Sequence, residues 1–148
     1  MKIINRQAKF NYQLFEKIEA GIVLTGSEVK SIRAGQLSLK DAFVRIDPQG
    51  EVWLVNAHIP VYQLGAERGY QPARSRKLLL HRSQILNLER KMAAKNLTLV
   101  PTACYSARGR IKLEIALAKG RKKWQKKEKI KKRDLAREAE REISNKLS

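Results

Sequence analysis

Three side chains have the chemistry of a nucleophile or a metal ligand: Cys104, His58 and His81. They are too few for a structural zinc site, which normally takes four Cys or His ligands. A Cys–His nucleophilic pair stays open, but Cys104 lies in the apolar run 97–105, where a free cysteine is usually a small buried hydrophobe. The chain has no Gly-rich phosphate loop and no serine-hydrolase or metalloprotease motif. The sequence therefore predicts no catalytic site, no metal and no cofactor.

Cationic residues offer a clearer chemistry. Residues 119–133 contain ten Lys and Arg and one acidic residue, Glu128. Such a run binds phosphates, and Trp124 within it offers a ring on which an unpaired base can stack. Two other interpretations stay open here. In the first, the run is a solvated, nonspecific basic tail. In the second, Trp124 folds back onto the rest of the chain.

Composition agrees with a polyanionic partner. The 148 residues carry 32 Lys and Arg against 14 Asp and Glu, a formal charge of +18, and 43% of them are hydrophobic. RNA, DNA and an anionic membrane all fit this charge. No apolar run reaches the ~20 residues of a membrane span, and residues 1–6 lack the apolar region of a secretion signal. We therefore expect a cytoplasmic protein with RNA as the favoured partner, DNA as an alternative that stays open here, and no membrane partner.

These cations need a scaffold, and the pattern before residue 119 predicts a β-barrel. Large apolar residues alternate with small or polar ones, as in a strand with one buried face. Asp47-Pro48-Gln49-Gly50 has the residue order of a type I turn. Closure of the sheet would remove exposed strand edges, so we expect an OB-fold-like closed antiparallel barrel of about six strands. The extended segments are 12–15, 18–24, 42–46, 52–59, 97–100 with 103–105, and 111–118.

Two or three peripheral helices are expected to accompany the barrel. Thr25 and Glu28 form a capping box, which predicts a helix that starts there and ends at Gly35. A second helix should run from near Ser83 to near Asn96. The polar residues 63–76 between the helices predict a loop, and such loops are usually mobile and exposed.

The chain divides at residue 118. Residues 1–118 are expected to form the barrel domain, and residues 119–148 the basic tail. The tail has helix-forming residues, but its lysines repel one another and it has too few apolar residues to bury. We expect it to be disordered when free and helical when bound.

Six segments of the sequence, kept in order and spacing, resemble the SmpB family, the tmRNA-binding proteins of bacterial trans-translation. The segments are Asn5–Lys9 leading to Tyr12, 19–35 (EAGIVLTGSEVKSIRAG), 56–59 (NAHI), 76–80 (RKLLL), 97–101 (LTLVP) and 116–120 (ALAKG). Relatives often have His at the position of Phe10, Gly at that of Asn96, and D-K-R after a His or Tyr where Trp124 and Gln125 stand.

This resemblance implies a non-enzymatic ribosome-rescue factor. Such a protein binds the tRNA-like domain of tmRNA, imitates a complete tRNA together with it, and delivers it to stalled ribosomes. Its tail enters the vacant mRNA channel beside the decoding centre of the 16S rRNA. The resemblance also implies a monomer, joined by elongation factor Tu on the charged tmRNA.

The resemblance assigns site residues by position. Tyr12 is open to base stacking or burial, Glu19 is an acid on a cationic surface, and Leu79 favours the core. The implied tmRNA-binding residues are Asn5, Arg6, Lys9, Tyr12, Glu19, Lys30, Arg33, Lys77, Leu79 and Lys112. The implied ribosome-binding residues of the tail are Lys119, Gly120, Arg121, Lys122, Lys123, Trp124, Lys126, Lys127, Ile130, Lys131, Lys132 and Arg133.

Two rival functions stay open. One is a structural ribosomal or ribosome-assembly protein that uses the same barrel and tail to fill rRNA crevices. The other is an RNA-modifying or RNA-cleaving enzyme that uses Cys104, His58 or His81.

Overall fold

The computed structural model describes residues 1–62 and 68–121, together with residues 133, 135 and 137. The described strands are β1 (Lys2–Ile4), β2 (Tyr12–Ile22), β3 (Phe43–Ile46), β4 (Val52–Val55), β5 (Arg76–Leu79), β6 (Thr98–Ala107) and β7 (Arg110–Gly120). Within residues 1–62 and 68–121 the helices are α1 (Arg6–Asn11), α2 (Gly26–Arg33) and α3 (Arg82–Lys95). β7 thus extends past the domain boundary predicted at residue 118.

Six strands form a closed antiparallel ring in the order β6–β3–β4–β5–β2–β7, in which β7 pairs again with β6. The ladder between β2 and β7 runs from Tyr12 opposite Gly120 to Gly21 opposite Lys112. β1 pairs with the second half of β6. The prediction of a mainly β, closed antiparallel barrel of about six strands is confirmed.

Several strand bounds differ from those expected. Two predicted pairs of short strands are each one continuous strand, with the register shifting between Leu14 and Lys17 in β2 and between Pro101 and Ala103 in β6. Such irregularities bend a strand without ending it, which suits a small barrel. The strand predicted over 52–59 stops at Val55, because the next residue has a positive φ of 66°.

The alternation of residues did not reveal β1, α1 or β5. β5 is hidden because its first inward-facing residue, Arg76, is charged; Arg76 and Leu78 are buried while Lys77 and Leu79 face outward. The predicted loop 63–76 therefore ends in a barrel strand. The described part of this loop is held against the barrel, since its Pro72 carbonyl accepts a backbone hydrogen bond from the chain after β4 (3.0 Å).

Both predicted helices are present and cover the apolar core. Ile32 of α2 and Leu88 of α3 are fully buried against it. Asn96 ends α3 with φ 53° and ψ 50°, the left-handed cap conformation that glycine usually supplies. The barrel residues that fill this core most completely are Val52, Leu54, Leu99, Leu113, Ile115 and Leu117.

A buried polar cluster, which we call the Glu28 cluster, joins Glu28, Tyr70, Arg74 and Arg76. Glu28 and Arg76 are both 0% exposed. Arg76 donates from Nε and Nη2 to Glu28 Oε2 (2.8 and 2.6 Å) and from Nη1 to the carbonyl of Ala57 (2.9 Å). Arg74 forms an ion pair with the other oxygen, Glu28 Oε1. The cluster thereby ties α2 to β5 and to the chain that follows β4.

Glu28 also completes the predicted capping box, which is confirmed. Thr25 N–H donates to Glu28 Oε1 (2.9 Å), and Glu28 N–H donates to Thr25 Oγ1 (3.3 Å). Burial alone would raise the pKa of the Glu28 carboxyl, but hydrogen bonds from Thr25, Arg74 and Arg76 outweigh it and lower the pKa below its ordinary value. Glu28 is therefore a charged carboxylate at neutral pH.

The change Glu28→Gln should destabilise the fold by about 3–5 kcal/mol, because it leaves Arg76 as an uncompensated buried charge. Urea unfolding measures the loss. Glu16→Gln is the matched control, since Glu16 forms an exposed ion pair with Lys91 and should cost less than about 1 kcal/mol. Equal losses in the two variants would contradict a dominant role for the cluster.

The contribution of Glu28 should also depend on pH. Its pKa is lowered in the folded state, so its charge stabilises the fold fully above the ordinary carboxyl pKa of 4.5 and progressively less as pH falls through the lower folded value. In a pH series of urea unfolding, the stability gap between the natural chain and Glu28→Gln should narrow below pH 4.5. A gap that stays constant or widens on acidification would exclude this linkage.

Candidate nucleic-acid interface

The ladder between β2 and β7 separates the predicted RNA-binding residues into two groups. Gly21 opposite Lys112 marks one end, and Tyr12 opposite Gly120 marks the other. Tyr12 and Gly21 are nine positions apart, which corresponds to at most about 30 Å of extended strand. The predicted residues thus do not form one continuous patch.

The first group surrounds an open groove of about 340 Å³, which we call the Gly21 groove. Arg33 from α2, Leu79 from β5 and Lys112 from β7 all line it. A Cβ on Gly21 would lie 3.2 Å from the Cβ of Leu79, so glycine allows Leu79 to pack across the neighbouring strand. Arg110 lines the groove as well and was not predicted. Three strands and a helix therefore bring together residues that are distant in sequence.

Leu79 is 54% exposed, so its interpretation as a core residue was wrong. The alternation of β5 gives the reason: Arg76 and Leu78 occupy its inward positions, which leaves Leu79 outside. Val23 is also exposed, and its backbone N–H donates to the carbonyl of Lys77 on β5 (2.9 Å). The ends of β2 and β5 therefore carry apolar surface beside cations, a combination that suits the sugars and base faces of RNA.

The cations near the groove are oriented by their own contacts and remain accessible. Arg33 donates from Nη2 to the carbonyl of the turn between β6 and β7 (3.0 Å). Lys30, also exposed on α2, lies 5.8 Å above the ring of Tyr62. Lys77 pairs with Glu51 at 3.2 Å, and both side chains keep about two fifths of their surface exposed. Each of these three cations therefore keeps exposed surface through which it can contact a phosphate.

Glu19 is the acidic member of the predicted tmRNA-binding set. It is exposed on β2 and lies directly opposite Glu114 on β7. The hydroxyl of Tyr105, on β6, donates a hydrogen bond to it. Sequence reasoning missed Tyr105, because the two partners are 86 positions apart and only the barrel registers bring them together.

The second group lies at the opposite end of the ladder, around α1. Arg6 and Lys9 are exposed on this helix. Asn5 is only 6% exposed; its side chain accepts from Ala8 N–H (3.2 Å) and donates to the carbonyl of Pro101 (2.8 Å). The Asn5 side chain therefore holds α1 against the barrel.

The basic tail leaves the barrel beside α1. Lys119 and Gly120 are exposed at the end of β7. Arg121 N–H donates to the carbonyl of Asn11 (2.8 Å), and its Nε donates to the carbonyl of Tyr12 (3.2 Å). The ring of Tyr12 is half-buried against a small apolar cluster. We call Arg6, Lys9, Tyr12 and 119–121 the tail root.

Most of the predicted ribosome-binding residues lie outside the described part of the chain. Arg133 is described, helical and exposed. The predicted residues outside it are Lys122, Lys123, Trp124, Lys126, Lys127, Ile130, Lys131 and Lys132.

Cys104 does not have the properties of a nucleophile. It is fully buried, and burial raises the pKa of its thiol to about 12, so the reactive thiolate does not form near neutral pH. Within residues 1–62 and 68–121 and the three isolated described positions, no three His, Cys, Asp or Glu side chains form a cluster that could hold a metal ion. None of the described helices is long and apolar enough to cross a membrane.

Comparisons with known proteins identify the family. The family model described as SmpB protein matches residues 2–145. An SsrA-binding protein of Sulfurihydrogenibium sp. (strain YO3AOP1) is 50% identical over 143 residues, which cover 97% of this chain and 93% of that protein. An SsrA-binding protein of Mycobacterium tuberculosis (strain ATCC 25618 / H37Rv) is 50% identical over 139 residues, which cover 94% and 86%.

A solved structure agrees with these matches. Described as "tmRNA-SmpB: a journey to the center of the bacterial ribosome", it is similar to this chain with a TM-score of 0.67 and 41% identity, and the match covers 82% of this chain and 85% of the other. Because the family model spans nearly the whole sequence and the relatives are about half identical over nearly all of it, the chain belongs to the SmpB family.

Proposed function

We propose that this protein binds the tRNA-like domain of tmRNA with its barrel, delivers it to stalled ribosomes for trans-translation, and senses the vacant mRNA channel and decoding centre with its tail. Membership of the SmpB family carries the proposal. The relatives are named for binding SsrA, the tmRNA, and the similar structure is that of tmRNA with SmpB at the ribosome. These names point to tmRNA and the ribosome as the polyanionic partners that suit a charge of +18.

The Gly21 groove is the surface best suited to tmRNA. Lys112, Arg33 and Arg110 are phosphate ligands on its rim, and Arg33 is already oriented by a hydrogen bond, so less side-chain freedom is lost on binding. Leu79 contributes exposed apolar surface that a base or ribose would cover. Lys30, Lys77 and Glu19 extend the same side of the barrel.

We infer that the tail root contacts the same RNA as the tail. Because Arg121 is hydrogen-bonded to the backbone of α1, an RNA that binds at Arg121 would also meet the exposed cations of that helix, Lys9 and Arg6. We therefore divide the predicted tmRNA-binding residues: those of the Gly21 groove bind tmRNA, and those of α1 act at the ribosome, with Asn5 holding the helix for them.

The tail supplies the sensing step. A polycation in search of phosphates binds most favourably where rRNA surrounds it, and resident mRNA competes for the same charges. Ordering of a basic segment on binding makes its occupancy of the channel conditional on vacancy. The proposed role includes no catalytic step, and it places the protein in the cytoplasm with ribosomes.

Removal of a groove cation should weaken tmRNA binding. Lys112→Ala or Arg33→Ala should reduce affinity about tenfold in a gel shift and lower the slope of log affinity against log salt by about one. Arg45→Ala is the matched control: it removes an exposed cation from β3, opposite β2 in the ring, and should leave both values unchanged. Equal losses in the groove and control variants would exclude a specific groove.

Truncation after Arg121 should separate the two activities. The shortened chain keeps the whole of β7 and the hydrogen bonds of Arg121, so its tmRNA affinity should stay within about threefold of the full chain. Peptide tagging on stalled ribosomes, measured in a reconstituted translation reaction, should be lost. Normal tagging by the truncated protein would refute the sensing role of the tail.

A further inference from the structure

We propose that Tyr105 is a positioning residue that holds the Glu19 carboxylate in place to accept a hydrogen bond from a neutral N–H or O–H group of the bound RNA. The inference rests on the proposed binding of tmRNA by this side of the barrel. It adds a residue that neither the cationic pattern nor the family resemblance singled out.

Three adjacent strands create the arrangement. Tyr105 on β6 lies opposite Lys112 on β7, and Glu114 on β7 lies opposite Glu19 on β2. The phenol therefore reaches across the whole width of β7 to donate its proton to Glu19 Oε2. Tyr105 is half-buried while Glu19 is exposed, so the donor is fixed in the surface and the acceptor projects from it.

The hydrogen bond from Tyr105 offsets a charge repulsion between Glu19 and its neighbour Glu114. Like charges directly opposite each other on paired strands repel, and Glu114 faces Glu19 in this way. Glu114 has its own partners: Thr102 Oγ1 donates to it at 2.7 Å, and Lys17 Nζ lies 3.7 Å away. Without the phenol, the exposed Glu19 side chain would turn away from Glu114 and sample many rotamers.

The Glu19 carboxylate can still accept a further hydrogen bond. Tyr105 occupies Oε2, and no donor from the described residues forms a hydrogen bond with Oε1 of Glu19. Burial, and then the hydrogen bond to Glu19, raise the pKa of the Tyr105 phenol to about 12, so it remains a donor throughout the neutral range.

The chemistry of the carboxylate selects its ligand. A carboxylate repels phosphate, so it suits either a ribose 2′-hydroxyl or the N–H groups of a base edge. Lys112, beside Tyr105 in the register, would hold the neighbouring phosphate. Glu19 would thus favour RNA that presents a donor next to a phosphate over polyanions in general.

Binding of full-length tmRNA transcript to four proteins tests this role: the natural chain, Tyr105→Phe, Glu19→Ala and the double variant. Tyr105→Phe should weaken binding about three- to tenfold with no change in salt slope, because no phosphate contact is lost. The double variant should bind no more weakly than Glu19→Ala, because the phenol acts only through the carboxylate. Thermal unfolding of Tyr105→Phe should match that of the natural chain.

Tyr70→Phe is the matched control, since the Tyr70 hydroxyl donates to the carbonyl of Ile59 (2.8 Å) and lies 3.5 Å from Glu28 Oε2, so its loss should affect stability instead of RNA binding. A tmRNA transcript with 2′-fluoro nucleotides distinguishes the two donors. An effect of Tyr105→Phe that vanishes with this transcript assigns the ribose hydroxyl, and one that persists assigns a base edge.

Unchanged tmRNA affinity in Tyr105→Phe, or losses that add to those of Glu19→Ala, would overturn the positioning role while the natural chain still binds tmRNA. A natural chain that does not prefer tmRNA over duplex RNA of equal length would instead overturn the proposed function itself.

Discussion

The buried ion pair between Glu28 and Arg76 is the interaction on which the functional surface depends. Glu28 lies in the first turn of α2 and Arg76 begins β5, and their side chains meet in the interior with no exposed surface. A buried pair of this kind is weak evidence for net stability, but loss of either partner is costly, because the other charge is left uncompensated. The pair therefore fixes α2 relative to β5 more than it strengthens the fold as a whole.

That constraint reaches the surface over five residues of α2 and three residues of β5. Arg33 ends the helix whose first turn contains Glu28, and Leu79 ends the strand that Arg76 begins. Both line the Gly21 groove. A displacement of α2 from β5 would separate the cation from the apolar surface that together make the groove suitable for RNA. The buried Glu28 cluster and the exposed Gly21 groove therefore depend on the same placement of α2 against β5.

The positive charge of the chain is divided by the ladder between β2 and β7. The groove lies at one end of it and the tail root at the other. The ladder connects the two regions directly, so RNAs bound at its two ends would be separated by its length. In the function proposed here, the charge of +18 serves two separate binding regions instead of one general affinity for polyanions.

Local patterns in the sequence predicted the alternating strands, the capping box at Thr25 and the end of the second helix near Asn96, because each depends on neighbouring residues; closure of the barrel followed from the need to pair the strand edges. β5 and the exposure of Leu79 escaped prediction, since the inward Arg76 makes the strand look polar and its partner Glu28 is 48 positions away. The family resemblance supplied the site residues, but only strand register could show that they divide between two ends of the barrel. Tyr105 was invisible for the same reason.

Crosslinking on stalled ribosomes tests the division into two regions most directly. A photoreactive group would be attached through Lys112→Cys in the groove or through Lys9→Cys at the tail root; the native Cys104 is buried and should not react. With tmRNA present, the probe at residue 112 should crosslink to tmRNA and the probe at residue 9 to 16S rRNA. Crosslinks from residue 9 to the same tmRNA nucleotides as residue 112, with none to rRNA, would contradict the two-region arrangement.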